Sequence, residues 1–174
     1  VRGADVLSVR DLLGASLTRQ ATFSQAKTLV VSEELARSDM FLRSLEAFVR
    51  DRQIRRDAFM IVSKEKASEF IRNNKPLLET RPHKFYEYMS ERWKETALVP
   101  ISNIHKFIQR TEGKTGLFIN IYGTTIKTDP KQNGFEDEYA PGEIDKMGGN
   151  PIQLIGSAVF KDGKMIGVLT GEET

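Results

Sequence analysis

The stretch AKTLVVSEELARS, residues 26–38, decides the fold of this chain. Its β-branched run from Thr28 to Val31 predicts a short strand, and Ser32 stands where a hydroxyl caps the helix that follows. A second continuous apolar run, from Ala58 to Val62, comes after another helical pattern. Two such strands joined by a helical crossover predict a parallel pair in a sheet that is buried on at least one face.

Helical patterns of apolar residues flank this strand pair. They cover residues 5–20 and 38–49, and Ser63 is expected to cap a further helix with Phe70 and Ile71 facing inward. A sheet of two strands is only marginally stable. We therefore expect the pair to need a third strand, either from upstream of the first residue or from a C-terminal hairpin.

The second half of the chain follows a break at residues 73–82, which hold two prolines and an Asn-Asn-Lys-Pro run. Two helices are predicted beyond it, at residues 83–97 and after a cap at Ser102, followed by a β-rich segment at residues 117–126. An Asp-Gly turn within residues 152–169 predicts a hairpin there, because tight hairpin turns need positive φ.

A long polar connection, residues 127–150, precedes the hairpin and carries three Lys against six Asp or Glu, a local net charge of −3. Ordinary connections are about 4 to 6 residues long, so a connection of this length is expected to extend away from the packed elements or to be a mobile loop. The patterns together predict an α+β (mixed α/β) fold in which small sheets pack against amphipathic helices. They divide the chain into two subdomains, residues 1–76 and 77–174, the first incomplete at its N-terminal edge.

The composition is that of an ordinary globular protein, with 174 residues, 39% of them apolar and 29% charged. The chain has no cysteine, which excludes thiolate catalysis, disulfides and Cys-type zinc sites within it. A formal net charge of +2 gives the molecule as a whole no signature of a nucleic-acid binder. Since no apolar run reaches the roughly 18 residues of a membrane span, a folded, soluble body is expected.

Motifs for catalysis, metals or cofactors are missing from the sequence. His83 and His105 have no carboxylate or second histidine at ligand spacing, which favours structural or surface roles. Gly113-Lys-Thr115 lacks the upstream glycine of a phosphate-binding loop. Adjacent glutamates, at residues 33–34 and 172–173, point about 100° apart on a helix, so they complement a helix dipole rather than converge on one bond. No catalytic residue and no cofactor is predicted.

Two charged stretches are the candidate interaction surfaces. The first is a cluster of four arginines, Arg50, Arg52, Arg55 and Arg56. It has the charge to hold nucleic-acid phosphates or lipid headgroups, but the aspartates interleaved with it and the lack of nearby aromatic platforms favour a solvated turn. The second is an acidic run, Glu136, Asp137 and Glu138. That run lacks the residue spacing of a calcium loop, which favours a solvated surface there as well.

Three stretches together resemble the Ger(x)C family: AKTLVVSEELARS at residues 26–38, FVRDRQIRRDAFMIVSKEKASEFI at residues 48–71 and LIGSAVFKDGKMIGVLTGEET at residues 154–174. They occur in the family's order and spacing, and the likeness spans nearly the whole chain. Members of that family are the lipoprotein C subunits of nutrient germinant receptors in spore-forming bacteria. This chain departs from the family pattern at Gln53, where an acidic residue is common, and at Glu65, where glycine is common.

The resemblance implies a non-enzymatic subunit, held by a lipidated cysteine outside this chain at the outer face of the spore's inner membrane. Its implied partners are an integral, transporter-like B subunit and an A subunit. The resemblance also implies a longer protein, with a signal peptide, the lipid-bearing cysteine and a first strand upstream and a further domain beyond residues 171–174. The residues themselves leave two alternatives open, a small hydrolytic α/β enzyme and a module that binds an anionic ligand.

Overall fold

The computed structural model describes residues 6–18, 22–76, 81–128, 139–144, 146 and 148–174. Within these ranges the chain forms six helices and five strands. The helices are α1 (Val6–Ser16), α2 (Glu33–Ala36), α3 (Met40–Val49), α4 (Ala67–Asn73), α5 (Pro82–Thr96) and α6 (Ile104–Thr111). The strands are β1 (Thr28–Ser32), β2 (Phe59–Ser63), β3 (Leu117–Thr124), β4 (Gln153–Lys161) and β5 (Lys164–Leu169).

All five strands lie in one mixed sheet with the order β1-β2-β3-β4-β5. The first three strands are parallel, and β4 and β5 are antiparallel to their neighbours. The predicted parallel pair is therefore confirmed, with Val30 opposite Ile61. The mixed α/β fold class is confirmed as well.

The third parallel strand comes neither from upstream of the first residue nor from the C-terminal hairpin, the two sources that the sequence led us to expect. It is β3, where Tyr122 lies opposite Val62 of β2, and the hairpin joins the sheet on the far side of β3. The expectation of several small sheets is wrong, since a single sheet takes strands from both halves of the chain. The predicted subdomain boundary after residue 76 stays a prediction, although the sheet crosses it.

The C-terminal hairpin has the predicted turn. Asp162 and Gly163 both have positive φ, 51° and 80°, which gives the turn the backbone twist of the flanking strands. A side chain at Gly163 would also approach Leu42 of α3 to 2.9 Å. The hairpin tip is therefore held against a helix as well as closed by its own turn.

Each face of the sheet carries its own hydrophobic cluster. On one face Phe41 of α3, Phe107 of α6 and Phe160 of β4 pack with ring centroids between 5.1 and 5.6 Å apart. On the other, Trp93 of α5 meets Phe59 of β2 edge to face at 5.7 Å. Truncating one such buried ring costs about 3–5 kcal/mol, so these aromatic contacts fix the helices on both faces.

Two of the predicted helix caps are wrong. The hydroxyl of Ser63 donates to the carbonyl of Glu65 at 2.8 Å, and α4 begins only at Ala67. The hydroxyl of Ser102 donates to Asn120 inside the protein, while Asn103 caps α6 through the backbone N–H of Lys106. Both serines are fully or almost fully buried, so their hydroxyls bond to acceptors of the sheet and its loops instead of a helix end.

The other helix signals have mixed outcomes. Ser32 caps α2 as predicted, since its side chain accepts from the backbone N–H of Leu35. In α4 the side chain of Phe70 is fully buried, but that of Ile71 is 55% exposed and does not face inward. Adjacent residues of a helix point about 100° apart. In this seven-residue helix the side chain of Phe70 faces the hydrophobic cluster, and that of the next residue, Ile71, faces solvent.

Candidate functional site

The carboxyl ends of the parallel strands hold a buried carboxylate. Glu65, which follows β2, is 7% exposed and accepts three hydrogen bonds from the end of β3. Thr124 Oγ1 donates at 2.8 Å, Thr125 N at 2.7 Å and Thr125 Oγ1 at 2.6 Å. Asn73 of α4 in turn donates to the Thr125 hydroxyl at 2.9 Å. Ligands often bind at this edge of an open α/β sheet, but here the carboxylate is occupied by structural contacts.

A second contact to an acidic side chain, partly buried, is made by the neighbouring residue Tyr122 of β3. The hydroxyl of Tyr122 donates to Glu33 of α2, whose other carboxylate oxygen pairs with Arg37 at 2.8 Å. Burial raises the pKa of Tyr122 above its ordinary value, and the hydrogen bond and charge of Glu33 raise it further. The phenol therefore stays protonated as a donor, and this contact ties α2 to the sheet.

The arginine cluster lies on the turn between α3 and β2, and all four of its side chains are exposed. The turn is anchored by Ile54, which is buried, and by Asp51, whose carboxylate accepts from the backbone N–H of Gln53 and from Arg10 of α1. The amide oxygen of Gln53 accepts from Phe23 N at 3.4 Å, which adds a further contact beneath the turn. The acidic run, residues 136–138, lies outside the described residues.

A cleft of about 230 Å³ opens at the amino ends of β1 and β2, beside the arginine cluster. Its lining includes Lys27, Arg55, Asp57, His83 and Glu87. Arg55 holds Asp57 through two hydrogen bonds, from Nε at 3.0 Å and Nη2 at 2.6 Å. The hydrogen bonds between Arg55 and Asp57 lower the pKa of the Asp57 carboxyl group and raise the pKa of the Arg55 guanidinium. This pair closes one wall of the cleft.

The opposite wall is an ion-pair network on α5. Glu87 binds Lys27 at 2.9 Å through Oε1 and Lys84 at 2.9 Å through Oε2. These contacts with the two lysines, that with Lys27 first, lower the pKa of Glu87 to about 2. The two acids of the cleft thus have lowered pKa values, whereas a general acid needs a raised one.

A larger groove, about 870 Å³, runs between α5 and the loop around residue 149. Phe85, Tyr88 and Met89 form its apolar part, and Arg92 and Lys146 are among its charged side chains. Lys146 donates to the backbone carbonyls of Asn150 and Ile152, both at 3.1 Å, and burial lowers its pKa. Lys146 therefore stabilises the conformation of the loop that leads into β4.

The remaining candidate residues do not assemble into a chemical site. His83 and His105 are both exposed, in agreement with the predicted surface role, and lie on different helices. Glu33 and Glu34 occupy the first turn of α2 as predicted, and Glu173 accepts from the backbone N–H of Thr170 at 2.9 Å. In the part of the chain that the structure describes, no three His, Cys, Asp or Glu side chains group as metal ligands would.

The comparison with protein families decides where this chain belongs. Residues 1–123 match the family described as "Spore germination protein N-terminal domain". The chain belongs to the Ger(x)C family of spore germination proteins. The matched part of this Ger(x)C chain includes α1 to α6 and the three parallel strands and ends inside β3, so it contains both the arginine cluster and the amino-end cleft. The hairpin follows after the matched residues.

The fold has a counterpart among solved structures. This Ger(x)C chain is similar to the structure described as "Crystal Structure of the GerBC protein", with a TM-score of 0.51 and 12% sequence identity. The alignment covers 95% of this chain and 39% of the GerBC chain, so the Ger(x)C chain spans about two fifths of its length. No curated protein sequence matches the chain. Across the described ranges, no helix is long and apolar enough to cross a bilayer.

Several residues of the amino-end cleft of this Ger(x)C protein are not marked by any sequence pattern. Lys27 and Glu87 were not singled out, because each stands alone in the sequence and is brought to the cleft of Arg55 by folding. Lys84, which pairs with Glu87, was not singled out either. One signal was available. Lys27 and Arg55 each lie just before a predicted strand, and the amino ends of parallel strands meet at one edge of a sheet.

Proposed function

We propose that this Ger(x)C chain acts as the C subunit of a nutrient germinant receptor, in which it works by protein contacts at the membrane rather than by catalysis. The observation that carries the proposal is the family match over residues 1–123, supported by the fold likeness to GerBC. Its proposed partners are the receptor's A and B subunits. Its proposed place is the outer face of the spore inner membrane, through a lipid anchor outside this chain.

A non-enzymatic role is supported by the way the acidic side chains are used. Glu65 is bound by three donors, and Glu33 and Glu87 each have two partners. A general acid or base needs a free path to a substrate, and these carboxylates are committed to holding elements of the fold together. The described clefts also carry no pair of acids with opposite pKa shifts, which is the mark of acid and base roles.

The proposed contact surfaces are the two charged stretches predicted from the sequence. The exposed arginines of the α3–β2 turn are held on a turn whose backbone is anchored from beneath, so their positions are fixed while their side chains face outward. The acidic run at residues 136–138 remains the second proposed surface. Opposite charges on two surfaces suit contacts with more than one partner.

A clean deletion in the spore-forming bacterium that encodes the protein tests the proposed function. Spores without the gene should lose the response to one nutrient or group of nutrients, and a copy of the gene at another site should restore it. The response to nutrients sensed by other receptors serves as the matched control. Normal germination of the deletion strain with every nutrient tried would contradict the proposal.

A further inference from the structure

The amino ends of β1 and β2 carry a group of cationic side chains that includes part of the arginine cluster and extends beyond it. We call it the amino-edge cluster and define it by five cationic residues, Lys27, Arg55, Arg56, Arg81 and Lys84. Lys27 and Arg55 line the same cleft, and Lys84 shares Glu87 with Lys27. Arg81 begins the turn that leads to Lys84, whose backbone N–H donates to its carbonyl at 2.9 Å.

Arg56 joins the amino-edge cluster through the backbone. Its carbonyl accepts from His105 N at 2.8 Å, and the neighbouring Ala58 carbonyl accepts from Ile104 N at 3.0 Å. These bonds hold the first turn of α6 against the segment that enters β2. The two exposed histidines, His83 and His105, therefore lie at the border of the same surface.

The charge balance of this surface differs from that of the whole chain. Within the cluster and its cleft, the described carboxylates are Asp57 and Glu87, so the five cations exceed the acids by three. The chain as a whole has a formal net charge of +2. The rest of the molecule is therefore close to neutral, and its surplus of positive charge is gathered at one edge of the sheet.

The cations are accessible as well as numerous. The side chains of Lys27, Arg55 and Lys84 are 46%, 51% and 39% exposed. Both carboxylates of the cleft are paired with these cations: Asp57 with Arg55, and Glu87 with Lys27 and Lys84. Because the three cationic side chains are this exposed, an anionic surface can accept hydrogen bonds from the N–H groups that these ion pairs do not use.

The form of the surface favours a lipid bilayer over a folded partner. Protein interfaces depend on aromatic or arginine side chains that fill deep pockets, and the cleft here is only about 230 Å³. A bilayer needs no matching shape, and attracts spread cationic charge. Tyr88, 51% exposed and 5.8 Å from Lys84, adds the kind of amphipathic ring that suits the headgroup level.

We propose that the amino-edge cluster is the face of the protein that rests on the anionic phospholipid headgroups of the membrane. This inference rests on the proposed function, since that function places the protein at a membrane. It assigns Arg55 and Arg56 of the arginine turn to lipid and leaves Arg50, Arg52 and the acidic run as the proposed surfaces for protein partners. It also orients the molecule, with the amino ends of the parallel strands toward the bilayer and the carboxyl ends away from it.

Vesicle sedimentation with the purified chain tests the inference. The chain should bind vesicles of equal parts phosphatidylglycerol and phosphatidylcholine, bind pure phosphatidylcholine vesicles weakly, and be released by salt. The triple variant Arg55→Gln, Arg56→Gln, Lys84→Gln should bind the anionic vesicles on the order of a hundredfold more weakly, at about fivefold for each lost cation.

A charge-matched variant separates location from total charge. Lys66→Gln, Arg72→Gln, Lys75→Gln removes three exposed cations from the region of α4, at the opposite edge of the sheet. It has the same net charge as the first variant and should bind the vesicles as the unchanged chain does. Equal loss in both variants, or no loss in the first, would overturn the inference.

Two further arms identify the source of the anion. Inorganic phosphate at matched ionic strength should not displace the vesicles; displacement would mean a discrete phosphate site instead. Binding to single-stranded DNA with no binding to anionic vesicles would also overturn the inference and point to nucleic acid. The germination test is independent of these results: a deletion that blunts germination while vesicle binding fails leaves the proposed function standing and removes this inference alone.

Discussion

A single carboxylate links three elements at the carboxyl edge of the sheet. Glu65 follows β2, its donors Thr124 and Thr125 end β3, and Asn73 of α4 bonds to the second threonine. Without the carboxylate, the buried threonine hydroxyl and the backbone N–H would lose their acceptor.

Replacing Glu65 with alanine should therefore destabilise the protein. We expect the free energy of unfolding to fall by about 3 kcal/mol, because a buried acceptor with three donors is removed at once. Urea denaturation followed by circular dichroism measures the change. Glu46→Ala, an exposed glutamate on α3, is the matched control and should change stability by less than about 0.5 kcal/mol. Equal effects of the two variants would show that the contacts of Glu65 contribute little.

Glu87 should make stability depend on pH. Its pKa is lowered from 4.5 to about 2 in the folded protein, so its ion pairs stabilise the fold fully above the ordinary value and are lost as the pH falls toward 2. The Tm advantage of the unchanged protein over Glu87→Gln should accordingly be constant near neutral pH and shrink across that acidic window. Because the pairs are exposed, added salt should reduce it at every pH.

Thermal melts of both proteins across this pH range measure the effect. Glu91→Gln, one turn further along α5, is the charge-matched control, since Glu91 has no ion pair among the described residues. Its Tm difference from the unchanged protein should not follow the same curve. A Glu87→Gln difference that stays constant down to the lowest pH would contradict the ion-pair account.

The residue scale also shows what local sequence signals can and cannot predict. Ser32 caps a helix because the strand before it ends at the surface, where its hydroxyl meets the free N–H of Leu35. Ser63 and Ser102 carry the same local signal but are buried, so their hydroxyls bond to groups supplied by folding. A cap motif is read from neighbours in sequence, whereas burial is decided by distant residues.

At the scale of elements, the hairpin depends on an irregularity in β4. The pairing of β3 with β4 shifts register between Ile121 and Gly123, and Gly156 lies at this point with φ of 77°. Its backbone N–H donates to the carbonyl of Leu98 at 2.9 Å, and a Cβ atom there would lie 2.3 Å from the carbonyl oxygen of Leu169. The bulge thus joins β4 to both β5 and the end of α5.

Gly156→Ala should disturb the hairpin strongly. We expect a loss of about 3 kcal/mol, since an alanine meets both an unfavourable φ and a backbone atom that cannot move aside. The matched control is Gly167→Ala in β5, where a Cβ atom meets nothing within 4 Å and φ is not positive, and it should change stability by less than about 0.5 kcal/mol. Hydrogen exchange of β4 and β5 amides locates the effect, and unchanged protection there would contradict it.

Elements with strong local patterns were predictable, and their arrangement was less so. The two apolar strands and the Asp-Gly turn follow from periodicity and turn chemistry, which act over a few residues. The pairing of β2 with β3 joins Val62 to Tyr122 across about a third of the chain's length, and no local signal in the sequence indicates it. The amino-end cleft could not be predicted from local signals either, because Lys27, Arg55 and Glu87 are brought together only when the sheet and α5 pack.

At the scale of the whole molecule, the continuous sheet makes the two predicted halves depend on each other. The larger hydrophobic cluster takes Phe41 and Leu45 from the first half and Phe107, Phe160 and Met165 from the second. All five are almost completely buried, so neither half can cover its own apolar surface. A chain whose core is shared in this way should unfold as one cooperative unit.

The fragment of residues 1–76 should therefore fail to fold by itself. It retains the parallel pair but loses β3, which leaves a two-stranded sheet, and it exposes the faces of Phe41 and Leu45 that contact the second half. We expect a poorly dispersed NMR spectrum and no cooperative thermal transition for the fragment, against a dispersed spectrum and a single transition for the full 174 residues. A fragment with dispersed amide signals and its own melting transition would instead establish residues 1–76 as an independent subdomain. That outcome would mean that the strands and helices of the first half bury enough surface among themselves, and that β3 joins a sheet which is already formed.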